Sequence, residues 1–436
     1  MLSLFGGVVL GTLVLHDFEI LNSVESIIFL FFSLLSEAWI LKTLGFAILV
    51  GSIVALIEKS GGIGGFVDFV QHKIKFVSSA RSALLLSYVV GVSIFVESSI
   101  TSLISGTVGK PLCDKYKIPY AKLAHVCDST SAPTCSLIVL NGWGALLLGL
   151  ISTQISLGVL QGDGVTILIN SLIYNFYAIV TLLITFLSVY FSIEIGPMKN
   201  AKYVASNKTE DRYLKHTSMY YMLLPIFLMV ISVFFFLYIT GDGDILRGSG
   251  SSSIFYTMVV TLMFTLIYYV PTKNMNISTW AKTALKGAIK LIPIASILLF
   301  AFAIGKVTTD LKTGYYLASL ADENLSVYLL AAVIFILASI MSFSTGTSWG
   351  TFSIMIPVAV PMAVGMDANI YLCIGAVISG GIFGDHCSPI SDTTIISSMA
   401  SDCEVIEHVK TQLPYALIGG AISTVLFILF SFLVHS

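Results

Sequence analysis

The segment GDHCSPISDTT, Gly384–Thr394, places two aspartates, a histidine and a proline inside an otherwise apolar stretch. IYLCIGAVISGGIF precedes it and IISSMA follows it. An ionised carboxylate within hydrocarbon is costly unless a cation or a proton accompanies it, and proline interrupts a helix. The segment therefore predicts a helix that is broken at membrane depth, where irregular backbone is tolerated only if protein or a water-filled cavity covers it.

The composition supports this interpretation. The 436 residues are 56% hydrophobic and only 11% charged, with a mean hydropathy of +0.94, whereas soluble domains are roughly 25% charged. Apolar runs near the ~20 residues that cross a bilayer recur along the chain, so we predict an all-α integral membrane protein surrounded by lipid. The net charge of −2 gives no indication of a nucleic-acid partner. The first predicted spans are 2–15 and 38–57.

Two apolar segments, 82–108 and 326–364, carry polar interruptions, FVESSITS (95–102) and SFSTGTSWGT (342–351). Each is either a kinked span or a re-entrant hairpin. If both are hairpins, all but four of the 22 Lys and Arg residues lie in loops assigned to the cytoplasm, as the positive-inside rule favours. We therefore predict hairpins whose tips approach each other, in a multi-pass protein of the inner (plasma) membrane with a cytoplasmic N-terminus.

The order of predicted elements repeats along the chain. Segments 122–157 and 368–400 are predicted to be transmembrane helices broken at Asp128 and Asp385, and each follows a predicted hairpin. A single linking helix, 218–240, would place the second set in the opposite orientation. We therefore predict two inverted repeats, residues 1–192 and 253–436, joined by a linker over 193–252.

Broken helices and hairpin tips expose backbone carbonyls, and Ser and Thr hydroxyls add hard oxygen ligands suited to sodium. Asp128 and Asp385 are the candidate sodium ligands, and no resident cofactor is expected. A carboxylate at a hairpin tip, Glu97, has few structural uses. The predicted ion- or substrate-binding residues are Glu97, Ser98, Asp128, Ser129, Thr130, Ser131, Asn141, Thr345, Thr347, Ser348, Trp349, Asp385, His386, Ser388 and Asp392.

Structural roles stay open for several of these residues. Asp392, followed by two threonines, also fits a helix N-cap. His386 fits a hydrogen-bonded packing residue, and Trp349 fits a wedge inside its hairpin. Asn141 begins NGWG, which is either a second interruption or an ordinary turn.

The strings GDHCSPISDTT, SFSTGTSWGT, CDSTSAP (127–133) and QLPYAL (412–417) resemble NhaC-type sodium/proton antiporters of the ion-transporter superfamily over nearly the whole chain. The resemblance implies inverted repeats, paired hairpins, a transport domain that moves against a scaffold as an elevator, and often a homodimer. It places the site at Glu97, Ser98 and residues 128–131, 345–348 and 385–392. Relatives often carry two acidic residues in the first hairpin, where this chain has one, and tend to have a further hydrophobic segment upstream.

Two functions follow from these observations. The first is sodium/proton antiport by alternating access. The alternative is sodium- or proton-coupled transport or exchange of a small organic solute, an amino acid or a carboxylate, because the tips are rich in neutral hydroxyls. An enzyme is disfavoured, since the sequence has no HExxH zinc-binding motif.

Overall fold

The structure, a computed structural model, describes residues 2–73, 77–95, 98–139, 141–204, 217–243, 248–312, 316 and 325–435. Helices form almost all of this part of the chain, and it contains no strand. The helices before the linker are α1 (Leu2–Leu15), α2 (Ile20–Ser36), α3 (Ala38–Ser60), α4 (Gly62–Lys73), α5 (Ala80–Ser93), α6 (Ser98–Tyr116), α7 (Tyr120–Ser136), α8 (Gly142–Ser156), α9 (Gly164–Leu172) and α10 (Phe176–Phe191). Those after it are α11 (Tyr220–Thr240), α12 (Gly250–Tyr269), α13 (Ile277–Asp310), α14 (Val327–Thr345), α15 (Ser348–Gly365), α16 (Ile370–Cys387), α17 (Asp392–Ser401) and α18 (Val405–His435).

Seven helices in the described ranges are long and apolar enough to cross a membrane. They cover Ile40–Ser60, Gly164–Asn200, Tyr220–Thr240, Val327–Thr345, Ser348–Gly365, Ile370–Cys387 and Val405–Val434. Large apolar side chains also face outward, with Phe29 and Phe32 each 73% exposed and Leu433 67% exposed. Lipid is the solvent that such surfaces require. The protein is an all-α, multi-pass membrane protein.

Helix α2 was not predicted, because two acidic residues, Glu19 and Glu25, interrupt the apolar pattern at its start. Glu19 precedes the helix and Glu25 lies in its second turn. Both carboxylates point away from the protein interior. The chain therefore has a second apolar helix between the predicted spans 2–15 and 38–57.

The chain reverses direction between α5 and α6. Ser105 Oγ of α6 donates to the backbone oxygen of Ser87 in α5 (2.8 Å), and a Cβ on Gly109 would lie 2.4 Å from Ser87 Oγ. Residues 18 apart in one straight helix would be separated by about 27 Å. The break after Ser93 therefore folds α6 back along α5. Entry and exit of this pair on one membrane face stay a prediction.

A similar bend separates α14 from α15. Ser342 Oγ donates to the Gly381 oxygen (2.5 Å), and the Phe352 ring leaves no room for a Cβ on Gly381. A straight helix would place two residues ten positions apart about 15 Å from each other. The turn between the helices passes through Gly346, whose φ of 65° is the left-handed conformation that favours glycine.

The first predicted helix break was wrong in position. Helix α7 is continuous through Asp128 and Pro133 and ends at Ser136, and α8 begins at Gly142. Buried hydroxyls satisfy carbonyls along this helix: Ser131 Oγ donates to the Asp128 oxygen (3.0 Å) and Ser136 Oγ donates to the Pro133 oxygen (2.8 Å). The oxygen that Pro133 leaves without a helical donor is that of Ser129, four residues earlier, and neither of these hydroxyls bonds to it.

The second break lies inside the predicted segment, Gly384–Thr394, but it follows Asp385. Asp385 lies in the last turn of α16, and the interruption covers residues 388–391, which include Pro389. The proline lacks an N–H and disfavours helical backbone at the residue before it, so α16 ends at Cys387. The relation of the two halves as inverted repeats, with limits at 192 and 253, stays a prediction.

Candidate functional site

The carboxylate of Asp128 is fully buried where α7, α17 and α18 meet. Gln412 Nε2 donates to Asp128 Oδ2 (2.6 Å), and His408 Nε2 lies 3.2 Å from the same oxygen. Two hydroxyls of α17 donate at longer range, Thr394 to Oδ2 and Ser397 to Oδ1, both at 3.3 Å. Since an ionised carboxylate only accepts hydrogen bonds, these four donors hold it as an anion without exposure to water.

Gln412 connects this carboxylate to two histidines. Its Nε2 also donates to the His386 backbone oxygen (3.1 Å), and its Oε1 lies 3.3 Å from His125 Nδ1. Both amide hydrogens therefore point toward acceptors, and the amide oxygen faces His125. His125 Nδ1 consequently carries a hydrogen, which it also directs toward Ser129 Oγ at 3.1 Å.

Asp385 is equally buried but has fewer partners. Thr393 Oγ1 donates to its Oδ2 (3.0 Å). Its Oδ1 has no hydrogen-bond partner among the described residues. A buried carboxylate oxygen without a donor is costly, and a proton or a cation would complete its coordination.

The break after α16 is tied to the bend between α14 and α15. Ser388 Oγ donates to the Phe343 oxygen (2.9 Å) at the end of α14, and Gly346 lies against Ile390. Ser391 caps α17, because its Oγ accepts from the Thr394 N–H (3.4 Å). The suggested N-cap role of Asp392 was therefore wrong.

Asp392 is instead the exposed first residue of α17. An acidic side chain in a first turn complements the positive end of the helix dipole. His386 is buried, and its Nδ1 lies 3.1 Å from the hydroxyl of Tyr177, so this histidine is hydrogen-bonded within the protein interior.

Asn141 forms hydrogen bonds to the backbone on both sides of the break between α7 and α8. Its Nδ2 donates to the backbone oxygens of Phe95 and Cys135, both at 2.8 Å, and its Oδ1 accepts from the Gly144 N–H (3.0 Å), which caps α8. The amide thus joins the tip after α5 to the end of α7. Glu97 lies outside the described residues.

Two indole rings connect the segment that begins at Asn141 with the bend between α14 and α15. The Trp143 and Trp349 rings are perpendicular, with centroids 6.0 Å apart, and Trp349 also lies 3.2 Å from the position of a Cβ on Gly142. Both tips therefore contact the NGWG segment. Their depth in the membrane stays a prediction.

Several predicted hydroxyls bond within their own helices. Thr130 Oγ1 donates to the Val126 oxygen (2.7 Å), and Thr345 Oγ1 donates to the Met341 oxygen (2.9 Å). Thr347 caps α15. Ser98 and Ser348 are buried near the two tips. Within the described part of the chain, the hydroxyls of Thr130, Ser131 and Thr345 bond to backbone oxygens and not to the carboxylate of Asp128 or Asp385.

The partners of Asp128 were mostly missed from sequence. His408, Gln412, Thr394, Ser397 and His125 were not among the predicted site residues, although QLPYAL begins at Gln412. His408 and Gln412 are four positions apart and therefore lie on one face of α18. A polar pair with this spacing in an apolar helix is the signal that would have found them.

No group of three or more His, Cys, Asp or Glu side chains in the described ranges could hold a metal ion. Sodium differs from transition metals because it binds carboxylate, hydroxyl and carbonyl oxygens. The arrangement of Asp385, Thr393 and the break at residues 388–391 offers oxygens of these kinds.

Comparison with known proteins gives the class of molecule. The family model described as the Na+/H+ antiporter family matches residues 142–432, more than half of the chain. The chain belongs to the Na+/H+ antiporter family. The resemblance to NhaC-type antiporters is thereby confirmed, and membership in this family supports secondary transport.

Relatives of this antiporter chain vary in their coverage. An uncharacterized protein of Haemophilus influenzae is 32% identical over 461 aligned residues, which span 99% of this chain and 87% of that protein. A malate-2H(+)/Na(+)-lactate antiporter of Bacillus subtilis is 37% identical over 108 residues, 25% of this chain and 23% of that protein. The solved structure of MtrF from Neisseria gonorrhoeae, reported to illuminate a class of antimetabolite efflux pumps, matches with a TM-score of 0.63 at 15% identity and covers 96% of this chain and 86% of that one. This last similarity concerns the fold alone.

Proposed function

We propose that the protein exchanges sodium ions for protons across the inner (plasma) membrane, with Asp385 as the group that binds them alternately. The observation that carries this proposal is the buried Oδ1 of Asp385, which lacks a partner among the described residues. A carboxylate in this position must hold either a proton or a cation to remain buried at low cost. Exchange follows when the two compete for one oxygen pair.

Asp128 has a different role in this proposal. Its four donors come from α17 and α18, so the ionised carboxylate fastens these helices to α7. It also places a fixed negative charge in the same buried region. That charge favours occupation of Asp385 by a cation over an empty, ionised state.

Alternating access requires segments that can move relative to one another. Helices are interrupted near the two aspartates after Ser93, after Ser136, at residues 346–347 and at residues 388–391. Interruptions of this kind allow half-helices to shift while the binding residues keep their local contacts. We propose an elevator-type movement in a homodimer with a cytoplasmic N-terminus, and we keep Glu97 as a proposed participant.

The names of partial relatives favour a second candidate. One relative is a malate-2H(+)/Na(+)-lactate antiporter, and an arginine/ornithine antiporter of Halobacterium salinarum is 36% identical over 23% of this chain. Exchange of a small carboxylate or amino acid, coupled to sodium or protons, is therefore the alternative. In that case sodium would not move protons unless the organic solute were present.

Reconstitution distinguishes the two functions. Purified protein is placed in liposomes that contain a pH-sensitive dye, with the membrane potential clamped by potassium and valinomycin. An external sodium pulse should raise the internal pH without any organic solute, whereas choline should have no effect. A response that appears only after malate, lactate, arginine or ornithine is added would replace antiport by the organic-solute alternative.

A further inference from the structure

Helix α13 is longer than the apolar part of a membrane is thick. Its 34 residues extend about 51 Å at the helical rise of 1.5 Å per residue, whereas the hydrocarbon core of a bilayer is about 30 Å thick. Residues 291–310 are long enough to cross that core, and their only charges, Lys306 and Asp310, lie at the far end. The first part of the helix, residues 277–290, therefore reaches the headgroup region.

Aromatic side chains mark the same level at the start of α13. Trp280 Nε1 donates to Thr265 Oγ1 (3.1 Å). The rings of Tyr221, Tyr268 and Tyr269 contact one another and pack with Trp280 in one cluster. Tryptophan and tyrosine are enriched where a bilayer meets water. Their position agrees with the level that the length of the helix gives.

Three lysines form a stripe on this part of the helix. Lys282, Lys286 and Lys290 follow one another at intervals of four residues, so they lie on one face, and all three are exposed. Like charges at this spacing destabilise a helix. None of the three forms an ion pair with a carboxylate of the described residues. The sequence between Asp244 and Asp310 contains six basic residues and no acidic one, so the neighbouring chain supplies no compensating charge.

The stripe points away from the protein. Helix α13 packs against α3 so closely that a Cβ on Gly287 would lie 2.2 Å from the Gly51 oxygen. Ser52 Oγ of α3 also donates to the Ala284 oxygen (2.8 Å). At 3.6 residues per turn, Lys286 lies about 160° around the helix from Ala284. The ammonium groups therefore face the surroundings of the protein.

Exposed apolar side chains lie beside the lysines. Leu285 and Ile289 each follow a lysine of the stripe by three residues and are 63% and 55% exposed, and Ile292 is 47% exposed. Residues three apart are neighbours on a helix surface. The surface thus presents cations and apolar groups side by side. A soluble anion would satisfy only the cations, whereas an anionic lipid satisfies both.

We propose that the stripe of Lys282, Lys286 and Lys290 binds the phosphate of an anionic phospholipid, whose acyl chains contact Leu285 and Ile289. Basic clusters beside a transmembrane helix attract anionic headgroups, and an ammonium group binds phosphate as a point charge. The lipid supplies the negative charge that the chain itself lacks here. The inference goes beyond the proposed sodium/proton exchange, because lipid binding requires no ion movement.

Native mass spectrometry of the protein in detergent tests the site by titration with phosphatidylglycerol and with phosphatidylcholine of the same acyl chains. We expect tighter binding of phosphatidylglycerol. Lys282→Gln, Lys286→Gln and Lys290→Gln should each weaken its binding about 5-fold, and the triple variant about 100-fold, because each lysine near the headgroup makes a similar contribution. Phosphatidylcholine should bind all of these variants as it binds the wild type.

Matched variants separate the charge from the fold. Lys306→Gln removes the same charge from the opposite end of α13, where Lys306 pairs with Asp310, and it should bind phosphatidylglycerol normally. Replacement of the three stripe lysines by arginine keeps the charge and should retain the binding. The double variant Leu285→Ser and Ile289→Ser should weaken both lipids. These side chains are exposed, so the thermal midpoints in detergent should stay close to that of the wild type.

Equal affinity for the two lipids overturns the proposal, as does a triple glutamine variant that binds phosphatidylglycerol like the wild type. An equal loss in Lys306→Gln would also overturn it, because overall charge would then explain the effect. Displacement of the lipid by inorganic phosphate at the same concentration would assign the stripe to a soluble anion instead. No transport is measured, so each result is independent of whether sodium/proton exchange occurs.

Discussion

The two buried aspartates have the same exposure and different surroundings. Asp128 lies in the middle of a continuous helix and receives hydrogen bonds from two other helices. Asp385 lies at the end of a helix, beside a break, and only one of its oxygens has a partner in the described chain. Burial by itself therefore does not identify an exchanging group. We propose that the number of donors around each carboxylate distinguishes the anchoring Asp128 from the exchanging Asp385.

Neutralising Asp385 is the most direct test of the proposed difference between the two aspartates. In Asp385→Asn we expect sodium-dependent proton flux to fall at least about 100-fold, because an amide cannot exchange a proton for a cation. The amide oxygen still accepts from Thr393, so the thermal midpoint should stay close to that of the wild type. Flux is measured with the dye-loaded liposomes.

Asp392→Asn is the control for this variant, because Asp392 is exposed and seven residues away on the same segment. It should retain most of the flux. Wild-type flux in Asp385→Asn would transfer the exchange role to another group, with Glu97 as the first candidate.

Neutralising Asp128 should act mainly on stability. In Asp128→Asn the donors of Gln412 and His408 face an amide in place of an anion, and loss of one member of a buried charged network costs about 3–5 kcal/mol. We expect a corresponding decrease in the free energy of unfolding, measured by denaturation in detergent. Asp402→Asn removes a partly exposed ion pair with Lys110, which is worth only about 0–1 kcal/mol. Equal stability losses in the two variants would contradict the proposed anchoring role.

Gln412 allows a separate test of the role of Asp128, because its described hydrogen bonds include Asp128 and not Asp385. Gln412→Leu removes its donors from Asp128 and from the His386 oxygen. We expect a loss of about 1–3 kcal/mol in unfolding free energy, with the sodium dependence of the remaining flux unchanged. A shifted sodium dependence with normal stability would indicate that Gln412 acts in ion binding instead.

The smallest expected effect concerns Thr393, which donates to Asp385 Oδ2. Thr393→Val removes that hydrogen bond and a hydroxyl oxygen while it preserves the shape of the side chain. Protons should then compete better with sodium, so half-saturation at a fixed pH should need about 3- to 10-fold more sodium. Thr394→Val is the matched control, since Thr394 donates to Asp128. Its sodium dependence should not change.

The positions of the breaks show where prediction from sequence failed. DSTSAP (128–133) and DHCSP (385–389) have similar sequences, and both were predicted to contain an unwound turn at the aspartate. In the structure α7 continues past Pro133, whereas α16 ends at Cys387, two residues before Pro389. Whether a proline ends a helix depends on which groups replace the missing hydrogen bond, and a short motif does not specify them.

The sequence by itself determined that this is a helical membrane protein, and it singled out Asp128 and Asp385 as candidate site residues. Its apolar runs leave no soluble alternative, and a carboxylate in such a run needs a partner wherever the chain folds. Only the tertiary structure decided what those partners are. His408 and Gln412 are about 280 residues from Asp128 along the chain, and contacts between such distant segments arise from packing of α7 against α18, which no local pattern encodes.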